Sequence, residues 1–414
     1  MAARHSRTPE QAEDREGRSE MRGKQSKMTG DAGHIKKAGR HGHTRRHAIG
    51  VAPATREDVQ SLSLKASKRG SKSIMVICGG LSHERDFSLS SGHRVQGFLE
   101  EAGWTVSAHD MDSDLLGLLT DKKTRPDLVW PLLHGANGED GSIRDILEMA
   151  GLPYIGSRAK ASRTAWSKPI AKNLVRMAGL TTPHSVTLPE SMFRELGVKP
   201  VIDLLLKSLG LPLFIKPTMG GSAMGCTLVK EGRELPQALI NCFGYGQVAL
   251  VEQAIVGTEV SVSIIEFDGH PLILPPLEVW TPSGTYDYEA RTTPGPTEFY
   301  VPARLDPHAM EAVKEAALTA HDALGLRDIS RTDFIVDGQG RPQFLEANVA
   351  PGMTDTSLLP QSAVAAGYDL PDLYTALVQS VLGQNRTEAW HRAVPPSGHA
   401  DLSAYRLVIT PSGR

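Results

Sequence analysis

The chain has 414 residues, 40% hydrophobic and 22% charged, with a formal net charge of −2. That length exceeds one ordinary compact core and implies two or three domains, and no run approaches the roughly 20 apolar residues that a helical membrane span needs. Cys78, Cys226 and Cys242 stand apart, without the paired spacing of a zinc site or a disulfide framework, so the reducing cytoplasm is the expected compartment. Cys78 and Cys226 lie among small or apolar residues and read as buried, inert thiols.

The near-neutral charge hides an asymmetry. Residues 1–72 hold 17 Lys/Arg against 8 Asp/Glu, and the remainder holds 28 against 39. This first stretch contains no Phe, Tyr or Trp and cannot bury enough apolar surface to offset its chain entropy, so a disordered basic tail is expected. Its acids, among them Glu10, Glu13, Asp14, Glu16 and Glu20, argue against a transit peptide. A start at Met21 or Met28 would explain the stretch equally well. Arg40–His47 is an option for nucleic-acid binding, but charge runs usually mean solvated chain, and no nucleic-acid partner is expected.

An apolar run of strand length, Ser73–Gly80, ends in a glycine pair and is followed by a helical pattern from about Ser88 to Ala102. A second strand pattern, Asp127–Leu133, runs into His134-Gly-Ala-Asn-Gly-Glu-Asp-Gly141, after which Ser142–Ala150 reads as a helix. Strands alternating with helices imply a mostly parallel sheet with ligands at the strands' carboxyl ends. Neither a G-x-G-x-x-G fingerprint nor a G-x-x-x-x-G-K-[ST] loop occurs, which removes support from Rossmann and P-loop readings.

Further on, Leu213–Pro217 places Lys216 at the end of an apolar strand, before the loop Thr218–Gly225. A point charge beside glycines and hydroxyls suits a phosphate cradle and lid, although any glycine-rich hairpin loop would look similar. The apolar strand Val248–Gln253 carries Glu252, and Glu259 opens the strand that continues through Val260–Phe267. This pair could meet a nucleotide's adenine amino group and ribose hydroxyls, or be two exposed surface acids. The segment Tyr286–Pro296 is too rich in turn residues for regular structure, and long ordered loops tend to be functional.

The strand patterns Ile329–Val336 and Gln343–Asn348 hold Arg331-Thr-Asp333 and Glu346-Ala-Asn348, followed by Pro351-Gly352. Adjacent strands would bring these hard oxygen donors together, and such a cluster suits Mg²⁺, which takes one or two carboxylates and completes its shell with water and phosphates. Arg331 adds a fixed positive charge where a transferred phosphoryl group or an oxyanion would form. Solvated strand-edge carboxylates with a surface arginine remain the alternative.

In this order, Gly79-Gly80-Leu-Ser-His-Glu84-Arg85, His134-Gly-x-x-Gly-Glu-Asp-Gly141, Lys216-Pro, Gly221-Ser222, Tyr288-Glu-Ala, Arg331-x-Asp333, Glu346-Ala-Asn348 and Pro351-Gly352-Met-Thr resemble the D-alanine:D-alanine ligases of the ATP-grasp superfamily. The likeness runs from about Ile74 to Leu377. It implies α/β and α+β architecture: an N-terminal parallel α/β domain (73–166), then a central lid domain (167–256) and a C-terminal catalytic domain (257–385) that grip ATP, with 386–414 a polar tail without a site. It also implies two Mg²⁺ ions, or Mn²⁺ in their place, on Asp333, Glu346 and Asn348. ATP would meet Lys168, Lys216, Glu252, Glu259 and Arg291, with Ser222 closing over the transferred group. Glu84 would hold the first ammonium, with His134 beside the same pocket. Arg331 and the Gly352 N–H would stabilise the oxyanion, and Ser357 and Leu358 would take the second substrate's carboxylate. The resemblance further implies a homodimer.

The sequence departs from the family pattern around the lid and acceptor. Glu289-Ala-Arg-Thr292 stands where Glu-Ala-Lys-Tyr is usual, and Thr292 is too short to make the tyrosine's tie to Glu84 and Ser222. Other departures are Ala223, Arg144-Asp145, Thr332 and Val349-Ala350. All leave the metal and phosphate set intact and leave acceptor choice open among D-alanine, D-lactate, D-serine and other amino acids. A non-catalytic nucleotide-binding relative is the reading from a different class.

Overall fold

A computed structural model describes residues 72–282, 284, 297–383 and 407–408. Arg291 and Thr292, the tail through residue 71 and most of the segment after 383 lie outside the described residues.

The first unit contains β1 (Ser73–Cys78), α1 (Arg85–Glu101), β2 (Thr105–Asp110), α2 (Leu115–Thr120), β3 (Leu128–Pro131), α3 (Ser142–Met149) and α4 (Ala159–Trp166). Its sheet is parallel, in the order β2-β1-β3, and the central β1 is buried from Ile74 onward. A strand covered on both faces needs a continuous apolar run, which is how Ile74–Cys78 reads. Helix α1 starts at Arg85, three residues before its expected position, because Glu84 and Ser82 hydrogen-bond the backbone of its first turn. Gly141, at φ 89°, turns the chain into α3 where a Cβ would lie 2.4 Å from the Ala159 carbonyl oxygen.

Next in the chain come α5 (Lys168–Met177), whose Ala171 and Val175 pack with Val260 and Phe334 of the third unit, and then the second unit: β4 (Ser185–Pro189), α6 (Glu190–Leu196), α7 (Val198–Leu209), β5 (Leu213–Pro217), β6 (Thr227–Val229), α8 (Leu235–Phe243) and β7 (Val248–Gln253). Its antiparallel sheet runs β4-β7-β5-β6. The third unit contains β8 (Gly257–Phe267), β9 (His270–Ile273), β10 (Leu277–Trp280), β11 (Glu298–Tyr300), α9 (Pro307–Ala323), β12 (Ile329–Asp337), β13 (Pro342–Asn348), α10 (Leu358–Ala365), α11 (Leu370–Gly383) and β14 (Leu407–Val408). Here β11-β10-β8-β12-β13 form an antiparallel ladder, with β9 on β8. The segment read as a polar C-terminal tail contributes β14, which pairs in parallel with β9 and continues the ladder at an otherwise open edge.

One apolar core joins the first and third units: Ile74, Val76 and Trp130 pack with Ile265, Met353 and the buried face of α11. Two hydrogen bonds tie the same elements, from Trp104 Nε1 to Thr375 Oγ1 at 3.1 Å and from the Met353 N–H to Ser91 Oγ at 3.2 Å.

On β12, alternation sends Arg331 and Asp333 to one face and Thr332 to the other. Thr332 is fully buried, and its hydroxyl has no hydrogen-bond partner among the described residues. Burying a hydroxyl unbonded costs stability that an apolar isostere recovers. Thr332→Val is expected to stabilise the protein by about 1 kcal/mol, read as an upward shift of the thermal midpoint; a downward shift would contradict the account.

Candidate active site

The site is organised by the register of β12 against β13. Arg331 lies opposite Asn348, and Asp333 lies opposite Glu346, so all four side chains share one face. A register shift follows directly between Asp333 and Phe334, the kind of bulge that re-aims side chains beside a site. Asp333 is also opposite Ser261 of β8, whose hydroxyl donates to its Oδ1 at 2.5 Å. Arg331 grips Asp333 with a two-point fork, Nε to Oδ1 at 2.9 Å and Nη2 to Oδ2 at 2.8 Å. Asp333 and Arg331 are 6% and 8% exposed, so the reading of solvated edge residues fails for them. Two carboxylates and the Asn348 amide oxygen form an all-oxygen set of the kind that suits Mg²⁺.

Lys168 is the first residue of α5. A cation there opposes the helix dipole, and the arrangement is offset by an ion pair to Glu346 at 3.0 Å and a bond to the Gly220 carbonyl at 2.6 Å. Lys216, at the end of β5, pairs with Glu252 of β7 at 2.6 Å, and Lys172 of α5 bonds the other oxygen of the same carboxylate. Glu252 is 2% exposed, which rules out a surface acid. Burial pushes its pKa up, but Lys216 and Lys172 outweigh burial and hold it below the usual carboxylate range. Burial brings Lys172 down to about 8, against the pull of Glu252. Lys172 was not singled out in the sequence. Its place one helical turn after Lys168 was the available signal.

On the opposite side, Ser222 donates to Glu84, and Ser222 and Ala223 take left-handed backbone conformations at φ 50° and 55°. His134 is buried against Phe87, with ring centroids 4.9 Å apart. Burial lowers its pKa to about 4; a backbone hydrogen bond at Ala350 opposes the shift and Arg331 adds to it. Glu139, also missed as a site residue, accepts from the Gly135 N–H at 3.0 Å. Burial first, and Glu84 second, raise it to about 8. Gly352 permits a close approach, since a Cβ there would lie 2.4 Å from Phe87 and 2.6 Å from the Ser357 hydroxyl. Ser357 Oγ accepts from the Thr354 N–H at 2.9 Å and leads into Leu358 of α10.

Two adjoining cavities collect these groups. Lys216, Glu252, Glu259 and Asp333 line one. Glu84, His134, Ser222, Arg331, Asn348, Gly352, Ser357 and Leu358 line the other. Lys168, Gly220, Gly221 and Glu346 belong to both. Of the expected site residues only Arg291 is not placed, because it lies outside the described residues. Cys78 is buried as expected, whereas Cys226 is only half-buried and lines the first cavity beside residues of the Thr218–Gly225 loop.

Sequence models of the D-ala D-ala ligase C-terminus and N-terminus match residues 174–379 and 116–157. A D-alanine–D-alanine ligase from Pelotomaculum thermopropionicum is 38% identical over 306 residues, covering 74% of this chain and 95% of that protein. The chain belongs to the D-alanine–D-alanine ligase family. Among solved structures, the Bacillus anthracis D-alanine–D-alanine ligase complexed with ATP shares 29% identity at a TM-score of 0.63, covering 77% of this chain and 100% of that one. The VanG D-Ala:D-Ser ligase from Enterococcus faecalis shares 29% at 0.65, covering 75% and 100%. The fold of this ligase is therefore ATP-grasp.

Removing one of the two cations on a buried carboxylate should weaken whatever that carboxylate orients. In this ligase, Lys172→Met is expected to lower ATP affinity about tenfold, the loss of roughly one charge-assisted hydrogen bond, while D-alanine affinity holds; calorimetry showing unchanged ATP binding would refute it. For His134, a folded pKa of about 4 lies below the ordinary histidine value of 6.5. Its contribution to stability is present above pH 6.5 and is lost as the pH falls toward 4. Glu139, raised from 4.5 to about 8, acts in the opposite sense and loses stability as the pH rises between those values. Denaturation of His134→Gln and the parent at pH 6.5 and 4.5 isolates the histidine, and the variant should lose less stability on acidification.

Proposed function

We propose that the ligase joins two D-alanines to give D-alanyl-D-alanine, ADP and phosphate, for peptidoglycan precursor synthesis. The observation that carries the reading is the shared wall: Lys168 and Glu346 face both a nucleotide-sized cleft with buried cationic groups and a second cavity lined by Glu84, His134 and Arg331. One carboxylate could there be activated on one side and attacked from the other.

In the first step the γ-phosphoryl group of ATP passes to a carboxylate oxygen of the first D-alanine. Lys168 and Lys216 neutralise phosphate charge, Glu252 and Glu259 meet the adenine amino group and the ribose, and Arg291 adds a forked phosphate contact. Ser222 and its neighbours close over the transferred group, and their contact with Glu84 supports that role. Asp333, Glu346 and Asn348 would hold two Mg²⁺ ions, which, when bound, offset charge on the transferred phosphoryl group. Arg331 bonds Asp333, and Lys168 pairs with Glu346.

In the second step the amine of the other D-alanine attacks the acyl carbon. The new C–N bond forms, the amine gives up a proton, and the C–O bond to phosphate breaks from a tetrahedral intermediate. Arg331 and the Gly352 N–H stabilise the oxyanion. Glu84 fixes the first ammonium with a charge-assisted contact, His134 lies beside it, and Ser357 with Leu358 receives the second carboxylate. The division at 73–166, 167–256 and 257–385, the cytoplasmic location and the homodimer are parts of the same reading. The three separate sheets support the first, the scattered cysteines support the second, and the family likeness supports the third. No described helix is long and apolar enough to cross a membrane.

The test is phosphate release from ATP and Mg²⁺ with D-alanine alone, then with D-lactate or D-serine added, with products identified by mass spectrometry. D-alanyl-D-alanine as the main product in every mixture is the expected result, and a depsipeptide or D-alanyl-D-serine as the main product would overturn the assigned acceptor. Arg331→Lys keeps the charge but loses the fork and should lower kcat by about 10²-fold.

A further inference from the structure

Arg144 of α3 is 1% exposed and lies behind the amino-acid cavity. A buried guanidinium is costly unless polar groups replace its water. Here two main-chain carbonyls do so for the fork, Nη1 donating to Gly138 O and Nη2 approaching Val349 O at 3.5 Å, while Nε has no hydrogen-bond partner among the described residues. Burial lowers its pKa, with Tyr154 and Glu139 acting the other way. Gly156 packs beside the group: a Cβ there would be in ordinary contact with it, 3.5 Å from Nη2 and 3.9 Å from Nε.

The two carbonyls belong to two segments, distant in sequence, that both line the cavity. Gly138 lies between His134 and Glu139, which both line it. Val349 lines it too and precedes Ala350, whose backbone hydrogen-bonds the His134 ring, and then Gly352.

We propose that Arg144 is a positioning residue for the amino-acid half of the reaction: its forked donors set the spacing between the His134–Glu139 loop and the Val349–Gly352 backbone, and through that spacing the fit of D-alanine. The inference rests on the proposed ligation. A planar fork holds two carbonyls at a fixed separation, whereas an amide or an ammonium at the same site would not fix that geometry. Its loss should displace the cavity walls without touching the nucleotide cleft.

The experiment compares the parent with Arg144→Gln and Arg144→Lys, measuring half-saturating D-alanine and half-saturating ATP separately by phosphate release. Both variants are expected to need roughly tenfold more D-alanine or beyond, the scale of a small misplacement at a reacting centre, with half-saturating ATP and the thermal midpoint near those of the parent. Equal rises for ATP and D-alanine would mark a merely structural arginine, and parent-like D-alanine saturation in either variant would remove the spacing role; each overturns the inference. Should Arg144→Gln not fold, Arg144→Lys, which retains the buried charge, decides alone. A parent protein that makes no D-alanyl-D-alanine overturns the function and this inference together, whereas with an active parent the ratios between variants and parent test the inference by itself.

Discussion

The antiparallel register of β12 on β13 is the constraint on which the rest of the site depends. Because side chains alternate along a strand, a slip of one residue would turn Asp333 and Arg331 into the core and bring Thr332 to the cavity. The register is held from both flanks, by nine paired positions of β8 and by the pairs with β13. Apolar residues on the opposite face, Phe334 and Phe344 among them, are buried in the core beneath α9. The same packing that stabilises the sheet therefore aims four functional side chains in one direction.

Around that frame, charge is kept buried by reciprocal pairing. Arg331 with Asp333, Lys168 with Glu346, and Lys172 and Lys216 with Glu252 each set a cation against a carboxylate at low exposure. Such pairs contribute little net stability, since desolvation cancels most of the attraction, but breaking one by removing a partner is costly. A site arranged this way has its charges in position before any phosphate arrives, which limits the reorganisation that would otherwise add to the barrier.

Much of this was legible in the sequence because it is local. Apolar runs fixed β1, β5, β7 and β12 to within about two residues, and Arg331-x-Asp333 with Glu346-x-Asn348 implied one shared face as soon as adjacent strands were assumed. The cradle at Lys216 had any glycine-rich hairpin loop as its alternative, and Glu252 and Glu259 had two exposed surface acids; burial of Glu252 removes the second for that residue. What could not be read depends on contacts between distant segments. Lys172 matters because β7 delivers Glu252 to it from 80 positions away, and Glu139 because Glu84 and the cavity wall surround it. Arg144 looked like a simple departure from the family pattern until Gly156 and Val349 were seen to enclose it. The pairing of Leu407–Val408 with β9 is likewise invisible to a reading that judges the C-terminal segment by its polarity.

The ion pair between Lys168 and Glu346 stands where the two cavities meet. Any ligand that draws either partner toward itself changes the charge presented to the neighbouring cavity, so the two occupancies are energetically linked. Linkage is reciprocal: the factor by which nucleotide alters amino-acid affinity must equal the factor by which amino acid alters nucleotide affinity. A single salt bridge on a common wall thus makes the order in which substrates arrive a matter of concentration, with the fully loaded site reached at the same free energy by either route.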